Sequence, residues 1–336
     1  MPEGAKRGSR RGGRGRGGRR SPLVAALDLG TNNCRLLVAS SARDGQLRVV
    51  DSFSRIVRLG EGVAATGLLS EAAIDRTVAA LRICAQHIGN HAGVRLRAVG
   101  TEACRRASNV GVLLARAREE AGIALEIISA EEEARLAAIG CAPLVDSEAE
   151  GSLIFDIGGG STEVIWMKRD GNGTLNVMSA ISTPVGVVSL SEAAQGALDR
   201  AGYDRMRDEM IERFAAVKVE MDGKGAFDCG THHLLGTSGT VTTLAGIALG
   251  LARYDRGKVD ASWHDCADIE TVIGRLAGLD LPGRAAIGCV GADRADLIVP
   301  GCAIFSAIRH TWPCLQLRVA DRGLREGILR ELLARH

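Results

Sequence analysis

Two stretches of the chain share one pattern, in which apolar runs flank a polar turn that contains glycine. The first extends from Val24 to Val38 and the second from Leu153 to Trp166. In each, the leading apolar run ends in a carboxylate, and a second apolar run follows the turn. Strand-length apolar runs separated by glycines predict a β-hairpin at both places.

The two stretches align without a gap, which brings Asp28 onto Asp156 and Gly30 onto Gly158. Two hairpins of one design, about a domain apart, indicate a duplicated architecture with the two turns facing each other. A solenoid is excluded because the unit occurs only twice.

Strands and amphipathic helices alternate between the hairpins. The pattern predicts strands at 46–57, 94–99 and 123–128, a helix that begins after Ser70, and a second helix at 108–121. This alternation is typical of an α/β fold.

A second match supports the duplication. The segment from Leu234 to Thr240 resembles the segment that begins at Ala98 and continues through Thr101, so that Gly236 falls on Gly100. A duplicated fold requires such a strand and loop in each half.

The hairpin turns carry candidate chemistry. Their glycines let backbone N–H groups approach an anion, although they could also serve only the turn. Asp156 and Glu163 lie at the two edges of the second turn, where two carboxylates could hold a hard divalent cation. Arg105 and Arg106 follow the strand at 94–99 and would either clamp an anion or lie solvated on a loop.

Three glutamates in a row open the helix that begins after Ser129. Ser129 and Glu132 match a capping box, which gives Glu132 a structural role. Glu131 complements the helix dipole. Glu133 shares a face with residues that pack inward, so its carboxylate would point towards the domain junction and could act as a general base.

Length and composition agree with two domains. A chain of 336 residues, 46% of them hydrophobic, is long enough for two cores. No apolar run reaches the ~18 residues of a membrane span, so we expect no membrane partner. The nine cysteines form no CxxC pair, which disfavours a zinc site and indicates reduced thiols and a cytoplasmic location.

The N-terminus differs in charge from the rest of the chain. Residues 1–20 contain Lys6 and seven arginines against one acid, Glu3, which gives a net charge of +7. The whole chain is +2, so the remainder carries about −5. We expect residues 1–21 to form a disordered Arg/Gly-rich tail. The tail would either hold a polyanion by salt-sensitive contacts or act only as a solubilising extension.

Seven blocks of the sequence resemble, in order and spacing, the exopolyphosphatase / guanosine pentaphosphate phosphohydrolase (Ppx/GppA) family. They are Asp28–Asn33, Gly100–Arg105, Ile128–Leu136, Asp156–Glu163, Gly186–Leu190, Gly236–Ala245 and Asp321–Gly327. The resemblance covers residues 22 to 330. Longer members carry a C-terminal extension without a counterpart here, so we expect the short form of the family.

The resemblance implies an α/β chain with a duplicated actin-like fold (ribonuclease H-like, ASKHA) and an active site in the cleft between two domains. The first domain would span residues 22–142 and the second residues 143–336. The implied activity is release of terminal orthophosphate from inorganic polyphosphate, or, as the alternative within the family, from guanosine pentaphosphate (pppGpp). The implied cofactor is Mg2+ or another divalent cation.

Site residues follow from the resemblance, position by position. Glu133 matches the family's catalytic base, and Asp156 and Glu163 match its carboxylates near the metal. The implied phosphate- and substrate-binding residues are Asp28, Thr31, Asn32, Asn33, Arg105, Gly158, Gly159, Ser161, Thr162, Gly236, Ser238 and Gly239. The expected mechanism is in-line attack of water, deprotonated by Glu133, on a phosphoryl group cradled by both turns.

Other functions remain open at this stage. An ATP-dependent kinase of the same superfamily would share both hairpins but transfer phosphate to an acceptor. A non-catalytic nucleic-acid-binding protein would act through the tail. The dipeptide His264-Asp265 is also found in HD metal phosphohydrolases, but no second His/Asp set accompanies it in this sequence. The sequence also leaves a homodimer open.

Overall fold

The computed structural model describes residues 22–42, 45–225 and 227–335. The Arg/Gly tail and its expected disorder therefore lie outside the described residues. Within them the strands are β1 (Val24–Leu29), β2 (Asn33–Ser41), β3 (Leu47–Ile56), β4 (Arg95–Gly100), β5 (Glu126–Ile127), β6 (Gly151–Ile157), β7 (Thr162–Arg169), β8 (Leu175–Thr183), β9 (His232–Thr237), β10 (Trp263–Asp265) and β11 (Gln316–Ala320).

Helices connect and cover these strands. They are α1 (Val63–Thr66), α2 (Glu71–Gly89), α3 (Glu102–Arg106), α4 (Val110–Ala121), α5 (Ala130–Cys141), α6 (Val187–Ala193), α7 (Arg200–Asp222), α8 (Ser238–Ala248), α9 (Arg256–Val259), α10 (Cys266–Ala277), α11 (Leu281–Ala285), α12 (Ile298–Thr311) and α13 (Leu324–Ala334). The hydroxyl of Ser70 accepts a hydrogen bond from the Ala73 N–H, which confirms the predicted cap of α2. The predicted strand at 123–128 is shorter in the structure, where only β5 pairs with β4.

The strands form two sheets of one design. The first has the order β3-β2-β1-β4-β5 and the second the order β10-β11-β9-β6-β7-β8. In each, an antiparallel three-strand meander is followed by a strand parallel to its first member, β4 beside β1 and β9 beside β6. This repeat confirms the predicted α/β class and the duplicated actin-like arrangement.

Strand register confirms the alignment of the two hairpins. Asp28 lies opposite Arg35 in the first hairpin, and Asp156 lies opposite Glu163 in the second. Because the ungapped alignment places Asp28 on Asp156 and Arg35 on Glu163, the hairpins are equivalent residue by residue. An arginine in one therefore occupies the place of a glutamate in the other.

The weaker match, which places Gly236 on Gly100, is wrong by two positions. Gly100 lies opposite Leu29, whereas Gly236 lies opposite Phe155, the equivalent of Leu27. The two glycines have different packing reasons. A Cβ atom at Gly100 would lie 2.8 Å from the Cys104 sulfur, and one at Gly236 would lie 2.6 Å from the Phe155 ring.

Helices α5 and α13 are exchanged between the two sheets. Helix α5, which follows the first sheet in the chain, buries Ala134 and Ala138 against β6, β7 and β9 of the second. Helix α13, which follows the second sheet, buries Ile328 and Leu329 against β1 and β2 of the first. The two helices also pack on each other. Each half of the chain therefore completes the core of the other, and the division after residue 142 remains a prediction.

Glycines bring the crossing helices into close contact. A Cβ atom at Gly327 of α13 would fall well inside van der Waals distance of the Leu136 carbonyl oxygen. One at Gly140 of α5 would meet the Gly323 carbonyl oxygen in the same way. Because these neighbours are backbone atoms of packed segments, they cannot move aside as a flexible side chain could.

We expect Gly327→Ala to destabilise the protein by about 2 kcal/mol or more, since the helices must separate to admit the methyl group. Gly274→Ala is the matched control. Gly274 lies in α10 with nothing within 4 Å of its added Cβ, so alanine there should stabilise the protein by about 0.5–1 kcal/mol through helix propensity. Urea unfolding of both variants measures the difference, and a neutral Gly327→Ala would contradict the close crossing.

Candidate active site

The turns of the two hairpins face each other across one cleft. A Cβ atom at Gly159 would lie 3.0 Å from Thr31 Cβ and 3.1 Å from the Asn32 backbone nitrogen. The cleft brings together most of the predicted site residues, namely Asp28, Thr31, Asn32, Asn33, Glu133, Asp156, Gly158, Gly159, Ser161, Glu163 and Ser238. Arg105, Thr162, Gly236 and Gly239 are not among the residues that line it.

Four carboxylates with raised pKa values meet in this cleft. Burial is the main cause in each case. It raises the pKa of Asp156 to about 6, with Asp28 adding repulsion and Arg35 opposing it. It raises the pKa of Glu163 to about 7, helped by Asp156.

The other two carboxylates are Asp28 and Glu133. Burial raises the pKa of Asp28, against the attraction of Arg35 and Arg325. Burial followed by repulsion from Glu163 raises the pKa of Glu133 well above the usual range of a glutamate. The four groups are thus shielded from solvent and several of them repel one another, which is an arrangement that a cation or a proton-transfer role can use.

Arg105 is held by carboxylates and a backbone carbonyl. Its Nη1 donates to Glu133 Oε2 at 2.7 Å and to the Ile128 carbonyl oxygen at 3.0 Å. Its Nε and Nη2 donate to Glu102 Oε2 at 3.1 and 2.9 Å. In this structure Arg105 therefore positions Glu133, and most of its donors are occupied rather than directed at a ligand.

The three consecutive glutamates have different surroundings, as predicted, but Glu132 is held by ion pairs rather than by a complete capping box. The Ser129 hydroxyl accepts from the Glu132 N–H at 3.2 Å, so half of the capping box is present. The Glu132 carboxylate does not return to the cap. It accepts from Arg97 at 3.0 Å and from Arg135 at 2.8 Å, because two guanidinium groups bind a carboxylate more strongly than one backbone N–H.

The first turn of α6 and the segment just before it support the second glycine turn. The N–H groups of Val187 and Val188 donate to the carbonyl oxygens of Gly158 and Gly159 at 3.0 and 2.8 Å. The Thr162 hydroxyl donates to the Val185 carbonyl oxygen at 2.8 Å. Thr162 therefore fixes the turn rather than facing the cleft.

Two amides of the first turn have unused acceptors. Asn32 Oδ1 and Asn33 Oδ1 are buried without a hydrogen-bond partner, although both residues line the cleft. Buried polar atoms are normally paired, so unpaired amides in a cleft indicate positions reserved for a ligand. These two oxygens can accept from a donor in the cleft, such as a bound water, whereas a phosphate oxygen could be bound only by the NH2 groups of Asn32 and Asn33.

Several cleft residues were not among those predicted. Glu102 and Thr101 line it from α3 and its cap, and Arg35, Asp321, Arg322, Arg325 and Glu326 line it from β2 and the start of α13. Two signals were available in the sequence. Arg35 occupies the position of Glu163 in the internal alignment, and the last four belong to the final family block.

A second chamber of about 510 Å3 adjoins the cleft and shares Arg35, Ser238, Asp321 and Arg325 with it. Gly239 lines this chamber. A Cβ atom at Gly239 would lie 3.5 Å from Arg294 Nη1 and 4.0 Å from Arg35 Nη2.

Three arginines of this outer chamber form no direct ion pair with any described residue, although Arg35 and Arg325 attract Asp28 from a distance. Within the described part of the chain, no hydrogen bond or ion pair engages the guanidinium groups of Arg35, Arg294 or Arg325. Burial lowers the pKa of Arg325, opposed by the attraction of Glu326. The chamber therefore offers free cationic donors next to the carboxylates of the cleft, which is an environment for an extended anion.

The protein supplies only part of the coordination shell of a magnesium ion. Across residues 22–42, 45–225 and 227–335, no three His, Cys, Asp or Glu side chains come close enough to hold a metal ion. Asp156 and Glu163 offer hard oxygen ligands opposite each other on β6 and β7. Mg2+ suits such a site, because it commonly takes one or two carboxylates and completes its shell with waters and phosphate oxygens.

The comparisons with known proteins agree with this geometry. The model of the Ppx/GppA phosphatase family matches residues 37–336. Exopolyphosphatase 2 of Mycobacterium tuberculosis is 32% identical over 323 residues, which cover 91% of this chain and 97% of that protein. A guanosine-5'-triphosphate,3'-diphosphate pyrophosphatase of Aeromonas salmonicida is 32% identical over 318 residues, which cover 93% of this chain and 60% of that protein.

Solved structures are similar over nearly the whole chain. The Ppx/GppA family member of Aquifex aeolicus has a TM-score of 0.77 and 30% identity, covering 94% of this chain and 99% of that one. An exopolyphosphatase of Cytophaga hutchinsonii has a TM-score of 0.82 and 25% identity, covering 93% and 98%. From the family match and these relatives, the chain belongs to the Ppx/GppA phosphatase family.

Proposed function

We propose that this protein is an exopolyphosphatase, which hydrolyses the terminal phosphoanhydride bond of inorganic polyphosphate. The observation that carries this proposal is the cleft itself. It combines four desolvated carboxylates with two glycine turns, and it adjoins the outer chamber, in which Arg35, Arg294 and Arg325 make no direct ion pair within the described part of the chain. Phosphoryl transfer to water needs positioning and charge neutralisation more than covalent catalysis, and these groups supply both.

The chain's own residues take distinct roles in this mechanism. The backbone N–H groups of the turns at 29–33 and 158–162 cradle the terminal phosphate. Glu133 orients the attacking water and accepts its proton. Arg105 holds the Glu133 carboxylate at 2.7 Å and keeps it aimed into the cleft. The NH2 groups of Asn32 and Asn33 donate to phosphate oxygens, and their Oδ1 atoms accept from water in the cleft.

We assign the next phosphates of the polymer to the outer chamber. Arg105 is the residue implied by the family resemblance for this task, but its donors already serve Glu102, Glu133 and Ile128. Arg35, Arg294 and Arg325 have no such partners among the described residues and lie along one chamber. Guanidinium groups bind phosphate oxygens in pairs of hydrogen bonds, so an extended phosphate chain can run from the cleft past these three side chains.

Mg2+ is the cofactor we propose, with Asp156 and Glu163 as its protein ligands, partly through water. When bound, it would neutralise negative charge on the phosphate oxygens.

We expect Asp156→Ala and Glu163→Ala to abolish Mg2+-dependent phosphate release, because each removes one of only two protein ligands. EDTA should silence the wild-type enzyme reversibly, whereas a zinc-selective chelator should not, since Mg2+ rather than zinc is the expected ion. Phosphate release at several Mg2+ concentrations measures both effects. Full activity in EDTA would contradict the assignment.

The nucleotide pppGpp is the second candidate substrate. The outer chamber contains the rings of Phe53 and Tyr254, which could pack against a guanine base. The Tyr254 hydroxyl donates to Asp321 Oδ2 at 2.5 Å, so its ring has a defined position.

One experiment separates the candidate functions. Phosphate release from long polyphosphate, short polyphosphate, pppGpp and ATP should be measured side by side, at equal concentrations of terminal phosphate. The highest kcat/KM for polyphosphate supports the proposal, and the highest value for pppGpp selects the alternative. Phosphate transferred from ATP to an acceptor would identify a kinase. Release from none of the four would leave the nucleic-acid-binding function.

We also propose a cytoplasmic location for this protein. All nine cysteines are free, which suits a cytoplasmic protein. No helix among the described residues is both long and apolar enough to cross a membrane. The mass in solution at several protein concentrations tests whether the protein forms a homodimer.

We propose that the positively charged Arg/Gly tail recruits long polyphosphate to the rest of the chain, whose net charge of about −5 would otherwise repel it. Deleting residues 2–20 should raise KM for long polyphosphate and leave kcat unchanged, because only uniform binding is lost. The defect should shrink as salt rises, since Arg–phosphate contacts release counterions. Steady-state kinetics at low and high salt measure this, with pppGpp as the short control substrate. An unchanged KM at low salt would exclude a recruiting role.

A further inference from the structure

Two cysteines distant in sequence face each other in the second half of the molecule. Cys229 lies in the connection that leads into β9, and Cys314 lies in the connection between α12 and β11. Their sulfur atoms are 2.6 Å apart, and 85 positions separate them in the chain. A disulfide needs a sulfur–sulfur distance of about 2.0 Å, so a shift of roughly half an ångström would suffice.

The position of this pair predicts what a bond between them would do. Strands β9 and β11 are parallel neighbours, and both cysteines precede them. Thr237 and Ala320, at the other ends of these strands, lead into the cleft residues Ser238 and Asp321. A bond between Cys229 and Cys314 would therefore join the two strands at the end farthest from the cleft.

The two thiols have the asymmetry that thiol–disulfide exchange requires. Cys229 is half-buried, whereas Cys314 is buried. The Cys314 thiol donates to the Cys229 sulfur, and this hydrogen bond lowers the pKa of Cys229 in spite of partial burial. Lys218 contributes in the same direction. Cys229 is thus the reachable thiol with the greater thiolate character, and Cys314 is the buried partner.

We propose that Cys229 and Cys314 form a reversible disulfide, which cross-links the second sheet when the protein meets a low-molecular-weight disulfide such as oxidised glutathione. The Cys229 thiolate attacks one sulfur of glutathione disulfide, forms a mixed disulfide and releases one glutathione thiolate. Cys314 loses its proton and attacks the Cys229 sulfur, which releases the second glutathione. Two protein thiols are oxidised and one glutathione disulfide is reduced.

A second cysteine pair provides an internal control. The sulfur atoms of Cys34 and Cys84 are 3.9 Å apart, and both residues are fully buried. The hydrogen bond between them and their burial raise the pKa of Cys34. Neither thiol of this pair is accessible, and the raised pKa of Cys34 keeps that thiol protonated, so the pair should not react under the same conditions.

The test uses the full-length protein, treated with oxidised glutathione and then with dithiothreitol. We expect an intact-mass decrease of two hydrogen atoms, a peptide that joins Cys229 to Cys314, and reversal by dithiothreitol. The cross-linked form should unfold at a temperature higher by on the order of 5 °C, because closing a long loop restricts the unfolded chain. Turnover of polyphosphate should stay within about twofold of the reduced form, since the bond lies far from the cleft.

Two variants make the result decisive. Cys229→Ser should abolish the mass change and the thermal shift, and Cys84→Ser should leave both in place. A stable glutathione adduct on Cys229, a disulfide between Cys34 and Cys84, or no reaction at all would overturn the proposal. These readouts do not require catalysis, so they stand apart from the proposed hydrolysis.

Discussion

Replacing Glu133 by glutamine is expected to lower kcat for phosphate release by about 10²-fold or more without unfolding the protein. Glutamine keeps the shape and a hydrogen-bond acceptor for Arg105, which lies 2.7 Å away, but it cannot take a proton from water. The pKa of Glu133 is raised well above its usual range. The wild-type rate should therefore rise with pH as this carboxyl ionises, and this rise should be absent in the variant. Stopped assays of phosphate release across the pH range measure both.

Glu132→Gln is the matched control for this prediction. Glu132 is adjacent in sequence, but its carboxylate binds Arg97 and Arg135 and does not line the cleft. Its replacement should cost some stability through weakened ion pairs and leave turnover nearly unchanged. Equal losses of kcat in the two variants would show that Glu133 has no special role in proton transfer.

Replacing Glu163 by glutamine should stabilise the ligand-free protein at high pH while removing its activity. Burial raises the pKa of Glu163 from 4.5 to about 7 in the folded state. Below about pH 4.5 the carboxyl is protonated in both states and has no effect. As pH rises to 7, the unfolded chain loses the proton first, so folding is progressively disfavoured. The variant lacks this penalty and should be more stable above pH 7 by about 2–3 kcal/mol.

The measurement is urea unfolding at pH 5 and pH 8 without divalent cations. Glu119→Gln serves as the control, because Glu119 is exposed on α4 and does not line the cleft. The stability of Glu119→Gln should equal that of the wild-type protein at both pH values. Added Mg2+ should increase the stability of the wild-type protein at pH 8 and leave the stability of Glu163→Gln unchanged. A variant less stable than the wild type at pH 8 would contradict the desolvation of Glu163.

The hairpins could be predicted from sequence because their information is local. An apolar run, a carboxylate, glycines and a second apolar run specify strand, turn and strand at both places, and the register of Asp28 with Arg35 follows from the turn length. The duplication was visible because this local pattern occurs twice.

What the sequence did not reveal depends on contacts between distant segments. Two partners of Arg105, Glu133 and Ile128, lie on α5 and in the loop before it, and no spacing rule predicts that they meet Arg105. Gly236 was assigned to substrate binding from the family resemblance, whereas in the structure the Phe155 ring and the Val241 side chain occupy the space beside it. The exchange of α5 and α13 also leaves no local signal, because either helix could have covered either sheet.

That exchange has a consequence for how the enzyme would open and reload. Glu133 is carried by α5, whose body packs on the second sheet, while Arg105 is carried by α3 of the first half. Any hinge motion that parts the two halves would therefore stretch the Glu133–Arg105 ion pair and admit water to the carboxylate. The geometry of the base therefore depends on both halves of the chain, and a change that loosens the packing of α5 on α13 should disturb it without touching a cleft residue.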